Sequence, residues 1–301
     1  MRMIRFRLEF LAVQLLDAFM LLFSWEAASD LGAFLGSQAS WALPRRWKTA
    51  NDNLAAAYPD MPAAEREALA RKALSNAGRI GAEIIKSRHL TKEALFEKVR
   101  YENMEILDAA LAEGKGVILN TGHLGNWETT GVVLTAHGYK LGVVGRLIKN
   151  PYVDAWLKET RCRFGLNLIA HKNPFFTSVK WLKGGNITAI LIDHNIRKGG
   201  VFIPFFGRPA ATSNLSALLA VRLGSPVVSV AITRQGSVQT CRIVGPMRAN
   251  PDADPEAEIQ RLTVAMVKQL EDFVKASPAD WLWGHNRWKR AEEAAQETVA
   301  A

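Results

Sequence analysis

Cysteine is almost missing from this chain: Cys162 and Cys241 are the only two in 301 residues, far apart and outside any CxxC or Cys/His cluster. That usage excludes a disulfide scaffold and a structural zinc site, and fits buried thiols in a reducing compartment. Histidine is thin as well, with His89, His137, His171, His194 and His285 scattered around His123 and no HExxH or other paired ligand spacing. No metal and no cofactor is therefore expected. A GxSxG nucleophile elbow is absent, so a serine acyl-enzyme has no obvious seat. Zinc-finger, RNP-like and helix-turn-helix signatures are also lacking, and with them the usual reasons to expect nucleic acid as a partner. No internal repeat, Gly/Ser linker or low-complexity tract divides the chain.

What is present is ample apolar material, 49% hydrophobic against 22% charged, enough to bury a substantial core. The formal net charge of +9 attracts anions, which include nucleic acid, anionic lipid, phosphorylated substrates and acidic carrier proteins. Charge by itself does not choose among them.

The first forty residues stand apart. Arg2, Arg5 and Arg7 precede an apolar stretch from Phe10 to Leu35 that is broken by Asp17, Glu26 and Asp30. A spanning helix needs roughly 20 apolar residues in a row, and this stretch offers no such uncharged run. No signal-peptide cleavage pattern follows it either. An interfacial or partly inserted helix with a cytoplasmic basic flank is the expectation, against the alternative of a long helix packed on the domain. The division expected is 1–40 as a membrane-anchoring helical segment and 41–301 as the main domain.

Beyond it the pattern is helical from Pro44 to Lys86, with a break at Tyr58-Pro59-Asp60-Met61-Pro62. After Gly116 the texture alternates. Strand-like runs fall at Val117–Leu119, Leu141–Val144, Leu166–Ala170, Ile187–Ile192, Val227–Ile232 and Val238–Val244. Helix-like runs begin at Asn126, cover Tyr152–Phe164 and Phe175–Leu182, extend from a Thr212 or Ser213 cap to Leu223, and close with Glu256–Lys275. This alternation predicts an α/β fold, a central mixed sheet flanked by helices. The segment Val201–Gly207 is too punctuated by Pro and Gly for a central strand.

One local feature suggests chemistry. Asn120-Thr121-Gly122-His123-Leu124-Gly125-Asn126-Trp127-Glu128 sets a histidine on a glycine-flanked turn at the carboxyl end of a strand, the edge of an open α/β sheet where ligands bind. Five positions apart, Glu128 can approach one nitrogen of His123 while the other faces a substrate, an orienting pair for a general base. The alternative is a turn histidine bonded to backbone and a first-turn acid complementing the helix dipole.

The chain here resembles the lipid A biosynthesis lauroyl and myristoyl acyltransferases, within the wider lysophospholipid and glycerolipid acyltransferase superfamily. The resemblance runs from about Pro44 to Arg290. It rests on HxxxxE at His123 to Glu128, the block from Arg146 to Asn150-Pro151, Asp193 at a strand end, Val201 to Gly207 with Pro209 to Thr212, and Pro278 with Trp281, Trp283, His285, Arg287 and Trp288. It implies an enzyme at the cytoplasmic face of the inner membrane that takes an acyl chain from acyl carrier protein, or from acyl-CoA, and esterifies a hydroxyl of a phosphorylated glycolipid. His123 and Glu128 then inherit the base and orienter roles. Arg146 would bind phosphate or polarise the reacting carbonyl, with surface charge as the alternative. Asp193 would hold Arg146 or a substrate hydroxyl, with a turn acid as the alternative. Gly125, Asn126 and Arg197 complete the expected substrate-binding set. Phe202, Phe205 and Phe206 either line an acyl groove or are core. The tryptophans of the last block either form an interfacial belt or pack against the domain, and packing is favoured.

Two departures bear on the acceptor. The family often has Asp-Gln-Asp where this chain has Asp193-His194-Asn195, and an arginine where it has His171. An acyltransferase acting on another glycolipid or aminolipid keeps the same fold and dyad.

Overall fold

The computed structural model describes residues 2–145, 147–170, 172–196, 200–291 and 293. The amino-terminal third is helical: α1 (Arg2–Met20), α2 (Trp25–Ser37), α3 (Ala39–Ala42), α4 (Pro44–Ala57), α5 (Ala63–Ser87) and α6 (Lys92–Lys98). Strands and helices then alternate through β1 (Val99–Glu102), α7 (Met104–Ala112), β2 (Val117–Thr121), α8 (Trp127–Ala136), β3 (Leu141–Gly145), α9 (Pro151–Cys162), β4 (Asn167–Ala170), α10 (Pro174–Lys183) and β5 (Ile187–Leu191). A hairpin, β6 (Gly200–Phe205) and β7 (Arg208–Ser213), interrupts the series before α11 (Leu215–Leu223), β8 (Val227–Gln235), β9 (Val238–Met247), α12 (Pro255–Ala276) and a 3-10 turn at Pro278–Asp280.

Seven strands form one sheet in the order β1-β9-β8-β2-β5-β3-β4. From β8 to β4 the neighbours run parallel, whereas β9 lies antiparallel to β8 and carries β1 parallel beside it. The sheet is mixed, as expected, and β2 sits at its centre with all five residues buried. A continuous apolar run is what a parallel strand covered on both faces requires.

Boundaries follow local chemistry. Pro44, Pro151, Pro174 and Pro255 each open a helix, where a missing N–H costs nothing. Asn150 caps α9 by accepting from Tyr152 N at 3.1 Å, and Asp254 caps α12 by accepting from Ala257 N at 2.9 Å. The hairpin explains the Pro/Gly-rich segment: Phe206 and Gly207 both have positive φ, 52° and 72°, the two-residue turn that joins twisted antiparallel strands. Thr212 and Ser213 fall in β7 rather than at the helix start, so α11 begins later than expected, after Asn214. Strand pairing with β6 claims their backbone first.

The apolar amino-terminal stretch is two helices, broken after Met20, and its acids point at the body. Asp17 lies 2.6 Å from His89 Nε2, Glu26 accepts from Lys98 Nζ at 2.9 Å, and Asp30 accepts from Arg79 at 2.6 Å. Helix α2 presses against α5 through glycines: a Cβ on Gly78 would lie 2.1 Å from Gly32 O, so only glycine lets the backbones meet there. Ile4, Leu8, Leu11 and Leu15 of α1 instead face outward on one stripe, and Leu22, Phe34 and Trp41 are also exposed, the last at 86%. No helix among the described residues is long and apolar enough to cross a membrane.

Candidate active site

The sheet register builds the site. Strands β2 and β5 are parallel neighbours with Thr121 opposite Leu191, and Ile192 N extends the ladder to Thr121 O at 3.0 Å. Two residues further along each strand stand His123 and Asp193. They meet at the carboxyl edge of the sheet, where ligands of open α/β folds bind.

Asp193 holds the histidine twice. Its Oδ1 lies 2.7 Å from His123 Nδ1, and its Oδ2 accepts the His123 backbone N–H at 2.7 Å and the Trp281 indole N–H at 2.9 Å. The carboxylate is 2% exposed, so these donors replace its hydration. Burial pushes its acidity toward the neutral form, but the charge and hydrogen bonds of His123, with the Trp281 donor, win and hold it far below the usual carboxylate range. On His123 burial pulls the imidazole down, the Asp193 charge and hydrogen bond push it up, Glu128 adds to the push, and the net shift is upward from 6.5. With Nδ1 on the carboxylate, Nε2 is the nitrogen left to exchange a proton.

Glu128 takes another partner. The side chain sits in the first turn of α8 and faces α9, where Arg161 donates to both its oxygens, Nε at 2.7 Å and the second nitrogen alongside. The five-residue spacing leads to expect Glu128 at the imidazole; the carboxylate at Nδ1 is that of Asp193, seventy residues on, because strand register and not helix pitch sets which acid lies opposite. Glu128 reaches His123 through its field only.

The turn itself is fixed by backbone. Leu124 pairs with Trp281 as an isolated antiparallel bridge, Gly125 N donates to Asp280 O at 2.9 Å, and Leu282 N donates to His123 O at 3.0 Å. Gly125 has φ +54°, and a Cβ there would stand 2.3 Å from Ile232 Cγ2. Asn126 is fully buried and caps α8, its Oδ1 accepting from Thr129 N at 3.0 Å and its Nδ2 donating to Glu83 at 2.9 Å. Its polar groups are engaged within the protein. Arg146 and Arg197 lie outside the described residues, as does His171.

Sequence reasoning missed the surroundings. The rings of His194 and His285 stand 4.4 and 6.4 Å from that of His123, and Trp127 meets it edge-on at 4.7 Å. Asn195 N donates to His285 Nε2 at 3.4 Å, and burial lowers that imidazole. Arg287, 1% exposed, donates to Ala211 O at 2.7 Å and to Thr212 Oγ1 at 2.6 Å; burial lowers its guanidinium to about 10 while Asp193 opposes the shift. Trp281, Trp283 and Trp288 are all buried, so this block packs against the domain as favoured. Phe205 is core beneath them, whereas Phe202 is exposed. No group of three or more metal-ligating side chains occurs among the described residues. A groove of about 540 Å³ runs between α1 and α9, lined by Phe10, Leu21, Arg88, Tyr152 and Trp156 and by none of the residues around His123.

An α/β sheet with a carboxylate-held histidine at its carboxyl edge defines a protein with a proton-exchanging group where ligands of such folds bind. The sequence places it more closely: residues 1–290 match the model of the bacterial lipid A biosynthesis acyltransferases, and the chain belongs to that family. It is an acyltransferase. A lipid A biosynthesis acyltransferase of Haemophilus influenzae is 24% identical over 254 residues, 84% of this chain and 77% of that protein. The lipid A biosynthesis lauroyltransferase of Escherichia coli is 25% identical over 267 residues, covering 87% and 85%. The phosphatidylinositol mannoside acyltransferase of Mycobacterium tuberculosis is 24% identical over 243 residues, covering 78% and 75%.

Proposed function

We propose that this chain transfers a fatty acyl group from acyl carrier protein, or from acyl-CoA, to a hydroxyl of a lipid A precursor at the cytoplasmic face of the inner membrane. The observation that carries the reading is the His123 imidazole held through Nδ1 by the buried Asp193 carboxylate. Nε2 takes the acceptor hydroxyl's proton as that oxygen attacks the thioester carbonyl. Asp193 steadies the imidazolium that forms, and the proton goes to the departing thiolate when the C–S bond breaks. No covalent acyl-enzyme is needed. Asp193 is the orienting carboxylate in this scheme, and Glu128, tied to Arg161, contributes charge. On sequence grounds Arg146 binds phosphate or polarises the reacting carbonyl, and Arg197 belongs to the substrate-binding set.

The outward apolar stripe of α1 supports residues 1–40 as a membrane-lying segment, with residues 41–301 as the transfer domain. A surface helix normally turns such a stripe inward. Here the acids face the body and the leucines face out, which suits an interface between headgroups and acyl chains.

A second reading changes the acceptor. The phosphatidylinositol mannoside relative is as similar as the Haemophilus one, which favours keeping a mannosylated lipid as an alternative hydroxyl donor. Purified wild type and His123→Ala, given lauroyl-acyl carrier protein with each acceptor lipid, decide both questions. The variant should stay folded and lose roughly 10²- to 10⁴-fold in rate. Wild-type turnover in His123→Ala would end the mechanism, and the acceptor that accumulates product names the substrate.

A further inference from the structure

Glu83 lies on α5, completely buried, and accepts from five donors brought by four separate parts of the fold. Arg234 of β8 donates twice, at 2.6 and 2.8 Å, Ser29 of α2 donates at 2.7 Å, Asn126 Nδ2 at 2.9 Å, and Gln239 Nε2 of β9 at 3.2 Å. Three routes lead from this carboxylate to the turn that carries His123. One is Asn126 Nδ2 itself. The second is Gln239, whose Oε1 accepts the Asn126 backbone N–H at 2.6 Å. The third runs through Arg234, whose backbone N–H donates to Asp280 Oδ2 at 3.2 Å while the Asp280 carbonyl accepts from Gly125 N.

We infer that Glu83, with Arg234 and Gln239, is a positioning residue for the acyl-transfer histidine: the buried network on α5 sets the Gly125–Asn126 turn and thereby the aim of His123. The inference rests on His123 being the base. A buried ion pair gives little net stability over a well-packed apolar pair of the same size, so stability alone does not account for a carboxylate spending five acceptor contacts here. Beyond the Arg234 fork and Ser29, the remaining contacts are with Asn126 on the turn and with Gln239, which itself holds Asn126 N. An error of about 1 Å in the placement of a reacting group costs on the order of 10²-fold in rate, which is the scale on which such a clamp acts.

Two variants of the full chain test this. Glu83→Met/Arg234→Met removes both buried charges together and leaves the space filled. Gln239→Met keeps the ion pair and cuts the links from Gln239 to Asn126 N and to Glu83, so it covers the case in which the double variant does not fold. Each folded variant, assayed with lauroyl-acyl carrier protein and a phosphorylated glucosamine-disaccharide lipid, should lose about 10- to 100-fold in kcat at unchanged KM. Each should also lose the downfield Nδ1–H signal of His123 in the nitrogen-edited proton spectrum, which a purely structural role would leave in place. A folded variant with wild-type kcat and an intact signal overturns the inference. If His123→Ala is inactive at the same time, the reading of the site survives and only the positioning role falls; if His123→Ala still turns over, both go.

Discussion

At the scale of single residues, the consequence of the His123–Asp193 pair is a pH profile. The imidazole is raised above its ordinary 6.5, and a general base works only when neutral, so kcat/KM should climb with pH along a limb centred above 6.5. Asp193→Asn removes the larger of the two charges that raise it and leaves the burial that lowers it, so the limb should move to lower pH while the rate falls. A limb that stays in place in Asp193→Asn would show that another group titrates. The linked effect on stability has the same sign: a folded-state value above the unfolded one contributes stability below pH 6.5 and loses it as pH rises through the folded value. Asp280 acts in the same direction, since burial lifts its carboxyl to about 6 and its contribution fades between roughly pH 4 and 6. The residues that could be named from sequence were those sitting on a turn of unusual composition, His123 above all. The pairing of His123 with Asp193 was not legible, because a one-dimensional spacing shows helix neighbours and hides strand neighbours; only the Thr121–Leu191 register brings the two together. The buried roles of Glu83, Arg234 and Gln239 left no mark of any kind, since each reads as an ordinary surface side chain until the fold encloses it.

At the scale of elements, the α2–α5 contact makes a sharp prediction. Gly78→Ala places a methyl 2.1 Å from Gly32 O, against backbone that has nowhere to go, and should cost about 1–3 kcal/mol in a denaturant titration. Gly81→Ala, with nothing within 4 Å of the added carbon, should leave stability unchanged or slightly raised, because it improves helix propensity without a clash. Equal effects in the two variants would contradict the packing. Strands β2, β3, β5, β8 and β9 and helices α8 to α12 were recognisable from apolar runs, prolines and caps, because those signals are local. Helix α6 and strand β1 were not, since Val99–Glu102 carries two charges in four residues and gains strand structure only by pairing with β9.

For the whole molecule, the proposed membrane-lying role rests on the apolar stripe of α1 and on Arg2, Arg5 and Arg7 in the same helix, a combination that suits anionic lipid. Wild type should co-sediment with phosphatidylglycerol vesicles, and Leu8→Asp/Leu15→Asp should abolish that while the melting midpoint holds, because both side chains project from the body. Undiminished sedimentation of the variant would assign lipid binding to another surface. The sequence suggested one helix over this stretch; two are present, and Asp17, Glu26 and Asp30, which looked like interruptions, are paired with His89, Lys98 and Arg79 of the body.

The bridge from Leu124 to Trp281 joins the middle of the chain to a segment made much later. During synthesis, then, the sheet and its histidine emerge before the segment that clasps them, and Asp193 waits for its indole donor. A product ending before Trp281 has His123 and Asp193 at the ends of their paired strands but lacks the Leu124–Trp281 bridge and the indole that donates to Asp193, so the turn that carries the histidine is closed only once that later segment folds back.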